Sequence, residues 1–150
     1  MENRKLLVIG AHSADFVWRA AGTIALVTSQ GGSADVIALS YGERGESGEL
    51  WKEPGQTVEN VKQVRHAEAE KAAAVVGASF RCLDLGDYPL NITQESMDLL
   101  VGLFQEIQPN ILFTHTPAAL LPAYEKWFIQ ALRERFGLWG TPLRLVLRKS

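Results

Sequence analysis

The segment Gly10-Ala11-His12-Ser13-Ala14-Asp15 follows a short apolar run, Leu6-Leu7-Val8-Ile9, near the start of the chain. An imidazole and a carboxylate three residues apart, on a turn leaving a strand, are both ligand types that zinc takes. A catalytic zinc usually has three protein ligands and a water, so His12 and Asp15 are half of a metal site. The plainer alternative is that Asp15 caps the helix that follows and His12 packs in the turn. Spacing alone favours that alternative.

The elements that would position this turn alternate in type. Lys5–Gly10 is continuous and apolar, as a buried strand is. Phe16–Ser29 has helical spacing, with Val17, Ala20, Ala21, Ile24, Ala25 and Thr28 sharing a side, and Gly31-Gly32 ends it. A second strand is expected over Asp35–Ser40, a loop over Tyr41–Gln56 and a helix over Thr57–Val76 stopped at Gly77. A third strand falls on Phe80–Leu85, a loop on Gly86–Leu90, and a helix on Thr93–Ile107 with a capping box from Thr93 to Ser96. A fourth strand spans Asn110–His115, a helix Pro122–Phe136 and a last strand Leu143–Arg148. This alternation implies an α/β fold with right-handed crossovers and helices on both faces of the sheet. The expected architecture is a single-domain, Rossmann-like three-layer sandwich with about five mostly parallel strands, ordered 3-2-1-4-5. A site in such a sheet lies beyond the carboxyl ends of the strands, where strand order switches. No GxGxxG follows the first strand, so the dinucleotide fingerprint is missing where it would belong.

Composition sets the remaining bounds. The 150 residues are enough for one domain, and 47% hydrophobic with 21% charged residues is the make-up of a globular protein. The single cysteine, Cys82, fits a reducing compartment, and no apolar run reaches membrane-spanning length. The expectation is a cytoplasmic protein with no membrane partner. Net charge is −2, but residues 122–150 hold six basic and two acidic residues, a net +4 that leaves −6 for residues 1–121. Such asymmetry can mark a nucleic-acid surface, and a solvated helix face is the plainer reading, so no specific nucleic acid is expected.

Residues 1–116 resemble the PIG-L/LmbE-like family of zinc-dependent deacetylases, whose hallmark after the first strand is A-H-P-D-D. Here it reads Ala11-His12-Ser13-Ala14-Asp15. The resemblance implies that His12 and Asp15 are zinc ligands, and it puts Ala14 where the deacetylases keep a catalytic aspartate. AHSADFVWRAAGTIA together with ALSYGERGESGELWK is similar to one branch, the 4-oxalomesaconate hydratases of gallate catabolism. Adding water to an unsaturated tricarboxylate needs an electrophile, a proton-transfer group and cations for the small anionic substrate. Zinc would be the first. Glu46 or Glu49 would be the second, and Arg44 and Arg65 the third, since guanidinium grips carboxylates in bidentate fashion. The plainer alternatives are solvated loop glutamates and a helix-surface pair of Arg65 with Glu68.

The family's third ligand is a histidine in an N/H-P-D-H segment after the fourth strand. This chain instead reads HTPAALLPAYEKWF, which leaves His115 as the substitute candidate and makes zinc binding weak or absent by expectation. From Pro122 onward the chain resembles the C-terminal KH-like end of the Der (EngA) GTPases, through Tyr124, Leu132-Arg133, Phe136-Gly137 and Gly140-Thr141-Pro142-Leu143-Arg144. Two resemblances meeting near the fourth strand imply an engineered chimera, a hydratase-like front half over 1–116 and a grafted helix and strand over 117–150. It would be a folded scaffold without catalysis. The alternatives are an active zinc-dependent hydratase and a weak nucleic-acid-binding module.

Overall fold

The computed structural model describes residues 4–114. The helix expected over 122–136, the strand expected over 143–148, the fifth sheet position and His115 lie outside the described residues.

Four strands, β1 (Lys5–Gly10), β2 (Ser33–Ala38), β3 (Ser79–Cys82) and β4 (Ile111–Thr114), form one sheet in the order β3-β2-β1-β4. Every pairing is parallel, with Val8 opposite both Val36 and Phe113. β1 is central and buried on both faces, which is why its sequence is an unbroken apolar run. Its residues alternate between two cores. Leu6 and Val8 join Phe16, Ala20, Ile24, Val27, Ala34, Val36, Ala69 and Ala73 on one side. Leu7 and Ile9 join Ile37, Leu100, Leu103 and Ile107 on the other. Helices α1 (Asp15–Arg19), α2 (Ala21–Ser29) and α3 (Val58–Val75) cover the first face and α4 (Gln94–Ile107) the second, giving three layers.

The helix expected over Phe16–Ser29 is two helices. Ala20 has φ −129°, outside the helical range, yet the buried stripe runs across the break at spacings of four, four and three, one position off the stripe the sequence suggests. Phe16, Ala20, Ile24 and Val27 face the core, while Val17 and Ala25 are exposed. Asp15 does not cap the helix from outside. It is the first residue of α1, and its Oδ2 accepts the His12 backbone N–H at 2.8 Å. β2 starts two residues earlier than expected, where the Ser33 N–H bonds Arg4 O at 2.8 Å. β3 stops at Cys82 because Asp84 takes φ +53°, although Leu83 and Leu85 still donate to Ala38 O and Leu39 O. Thr57 and Thr93 cap α3 and α4, and the reciprocal Thr93–Ser96 box is present.

Candidate metal centre

The carboxyl ends of β1, β2 and β3 each deliver one loop to the same place, beside the point where the chain order switches between β1 and β4. From β1 comes the turn Ala11–Ala14. It is held against the β2 loop by Ser13 Oγ donating to Tyr41 O at 2.8 Å and Ser40 Oγ donating to Ala11 O at 3.2 Å. From β2 comes residues 39–49, folded back on themselves by Ser47 Oγ donating to Gly42 O at 2.9 Å. Gly42 sits at φ +71°, and a Cβ there would lie 3.3 Å from the Cβ atoms of both His12 and Glu46. A side chain at this position would wedge those two residues apart.

His12 stands at the centre of three carboxylates. Its Nδ1 lies 3.2 Å from Glu46 Oε1 and 3.8 Å from Asp15 Oδ2. Its Nε2 lies 3.4 Å from Asp87 Oδ1. One ligand atom each from His12, Asp15 and Glu46 falls within 4.8 Å of the others, a spacing able to close on one cation. The donors are one imidazole nitrogen and two carboxylate oxygens, a set that zinc accepts.

A model of the family described as PIG-L: GlcNAc-PI de-N-acetylase matches residues 7–121. The chain belongs to the PIG-L family. It is 43% identical over 113 residues to the 4-oxalmesaconate hydratase of Pseudomonas putida, a match covering 75% of this chain and 44% of that protein. GalB, the 4-carboxy-2-hydroxymuconate hydratase from Pseudomonas putida KT2440, superposes with a TM-score of 0.76 at 38% identity, covering 88% of this chain and 55% of that one. The N,N'-diacetylchitobiose deacetylase from Pyrococcus horikoshii shares the fold, with a TM-score of 0.68 at 20% identity over 94% of this chain and 52% of that one. The chain spans about half the length of the relatives it matches.

Within this PIG-L chain, the expected site residues separate into two groups. His12, Asp15 and Glu46 come together. Glu49 is exposed and pairs with Lys52 at 2.6 Å, and Arg65 pairs with Glu68 at 3.1 Å on α3. Arg44 has an exposed side chain, and it is the Arg44 backbone N–H that reaches the site, donating to Asp87. Asp87 itself was not singled out by the sequence. A lone aspartate in a Gly- and Pro-containing loop reads as a turn residue. Its place after β3, the strand next to β2, is the signal that puts it near the β2 loop. No helix among the described residues is long and apolar enough to cross a membrane.

A second polar group lies behind the loop, made of Tyr41, Cys82, Glu43, Lys62 and Asp84. Burial pushes the Cys82 thiol up to about 11 from 9.0, and burial with the neighbouring Cys82 and Asp84 pushes Tyr41 to about 12 from 10.0. Folding therefore favours the neutral thiol and phenol. That contribution is fully present below pH 9 and lost as pH climbs through 11 to 12. The thermal midpoint is expected to fall between pH 9 and 12, and Cys82→Ala to flatten the early part of that decline. An alkaline limb unchanged by Cys82→Ala would show that the thiol is not one of its sources.

Proposed function

We propose that this chain is a metal-binding α/β unit of hydratase descent that holds a divalent cation through His12, Asp15 and Glu46 and turns over no substrate by itself. The observation that carries this reading is the convergence of those three donors within 4.8 Å at the carboxyl end of β1. Zinc is the cation the family resemblance implies, and when bound it would supply Lewis acidity toward a substrate carbonyl. Its hold is weak, because Glu46 sits on a loop with 44% of its side chain exposed. The same carboxylate cannot both complete the ligand set and carry a proton. The segment after β4 brings no Asp-His pair, and Ala14 brings no carboxylate.

The similarity to a Pseudomonas putida hydratase, in sequence and in fold, favours a second reading. In it Glu46 stays off the metal and moves the proton, Arg44 and Arg65 bind an unsaturated tricarboxylate, and His115 completes the ligands. Zinc content after dialysis against a mild chelator, paired with loss of the conjugated substrate's ultraviolet absorbance under added zinc, separates the two. The expected result is well under one zinc per chain, saturable rebinding, and no turnover above a His12→Ala control. Stoichiometric zinc that is lost in His115→Ala, together with turnover, would establish the hydratase.

The unit is a chimera in this proposal, with residues 122–150 taken from a Der-like C-terminal end. What supports this part is the residue pattern alone, Tyr124, Leu132-Arg133, Phe136-Gly137 and Gly140-Thr141-Pro142-Leu143-Arg144. The basic tail gives at most loose, salt-sensitive association with nucleic acid in the cytoplasm, because no stacking platform accompanies it. RNA binding that survives high salt would overturn that part.

A further inference from the structure

We propose that Asp87 is a positioning residue that fixes which nitrogen of His12 faces the cation and, through the same carboxylate, where the Glu46 loop sits. The inference rests on the metal reading above and adds to it a residue outside the ligand set.

Asp87 is buried, its side chain 3% exposed. Its Oδ2 accepts two backbone N–H groups from the β2 loop, Arg44 at 2.8 Å and Gly45 at 2.9 Å. Those two amides immediately precede Glu46 in the chain. Its Oδ1 is aimed at His12 Nε2, 3.4 Å away. A carboxylate so deeply buried needs its charge answered, and two amide donors do that, with the His12 ring 3.4 Å away on its other oxygen. One side chain therefore ties the β3 loop to the β2 loop and to the β1 turn.

Tyr88 reinforces the tie from the other side. It holds φ +50°, a conformation a bulky side chain rarely adopts, and its ring lies over Gly45. A Cβ at Gly45 would run into that ring. The loop carrying Glu46 is thus clamped between the Asp87 carboxylate and the Tyr88 ring.

The consequence for His12 is chemical. Carboxylates flank both ring nitrogens, Glu46 at 3.2 Å and Asp15 at 3.8 Å from Nδ1 and Asp87 at 3.4 Å from Nε2, so it is the Asp87 carboxylate that lets the proton sit on Nε2 and frees the Nδ1 lone pair for a cation shared with Asp15 and Glu46. Metal-bound histidines commonly have their other nitrogen held by a carboxylate in this way, and losing that partner typically costs 10–100-fold in metal affinity. Asp87→Asn separates the two tasks. The amide oxygen still accepts from Arg44 and Gly45, so the loop anchor survives. The amide NH2 now faces Nε2, which favours the tautomer with the proton on Nδ1 and blocks the cation's side.

The test uses the full chain with 15N-labelled histidine. Imidazole nitrogen shifts at pH 8.5, above the ordinary histidine range, report the tautomer without metal. Zinc affinity by competition with a chromophoric chelator reports the consequence. The unsubstituted chain is expected to hold a larger share of the Nε2-protonated tautomer at His12 than Asp87→Asn does. Asp87→Asn is expected to move the proton to Nδ1 and weaken zinc about 10–100-fold with unchanged circular dichroism. A zinc-loaded unsubstituted chain whose His12 carries its proton on Nδ1 overturns the proposal whether or not the variant folds. An Asp87→Asn chain with unaltered tautomer and affinity overturns it as well. If no zinc binds the unsubstituted chain, the metal reading fails while the tautomer still decides the role of Asp87.

Discussion

Zinc is expected to bind His12→Ala on the order of 100-fold more weakly than the unsubstituted chain, with the fold intact. Partners outside the ligand set already contribute 10–100-fold, and a direct ligand contributes at least as much. What would remain is Asp15 and Glu46, an oxygen-only pair better suited to magnesium or calcium than to zinc. The variant should therefore lose preference for zinc over magnesium as well as affinity. The fold should survive because the His12 ring belongs to neither apolar core, and its backbone N–H keeps its bond to Asp15. Asp15→Ala is a poorer probe, since Asp15 is 8% exposed and removing its carboxylate also releases the turn. Chelator competition and a thermal melt on the same sample decide the matter. Zinc binding within a few-fold of the unsubstituted value would place the cation elsewhere.

Lys62→Met is expected to be the most destabilising single change at the site's margin, at about 3 kcal/mol. The Lys62 ammonium lies 2.7 Å from Asp84 Oδ1 and 3.8 Å from Glu43 Oε1. Its hydrogen bond to Asp84 holds it protonated above the ordinary lysine range. Asp84 is 43% exposed and would be rehydrated cheaply, so it decides little. Glu43 is different. It is 2% exposed, and its Oε2 has no hydrogen-bond partner among the described residues. Removing the ammonium strands a buried carboxylate, and for a chain of this size the melting temperature should fall by about 10 °C. Adding Glu43→Gln to Lys62→Met removes the stranded charge and should recover more than half of the loss. Strictly additive effects in that double-mutant cycle would show that the two groups do not interact.

The parallel sheet and the order of its first four strands were legible in the sequence because each strand is short, apolar and followed by a helical period. Ends were less legible where a single residue's backbone decides them. Asp84 stops β3 through a positive φ that its type permits but does not announce. Ala20 breaks the first helix with neither glycine nor proline at the break. At the site, the spacing of His12 and Asp15 marks one turn, and Glu46 was one of two loop glutamates that spacing could not separate. The fold separates them, since Ser47 Oγ and Gly42 O close the loop so that Glu46 turns toward His12 while Glu49 stays in solvent beside Lys52. Asp87 was invisible because its importance comes from two amides more than forty residues away.

The sheet divides the molecule's labour. His12, Glu46 and Asp87 sit on loops at the strand ends and Asp15 opens α1, and α4 carries none of them. α4 meets the rest of the described chain through Leu100, Leu103 and Ile107, packed on Leu7, Ile9 and Ile37, and through Glu106, which accepts two hydrogen bonds from Arg81 of β3. That layer can drift, be repacked or be replaced by another amphipathic helix of similar volume without moving a donor atom. Mutations that tune robustness and mutations that tune the cation therefore occupy separate territory. A lineage, or an engineer, can accumulate stability under α4 first and spend it on the loops afterwards.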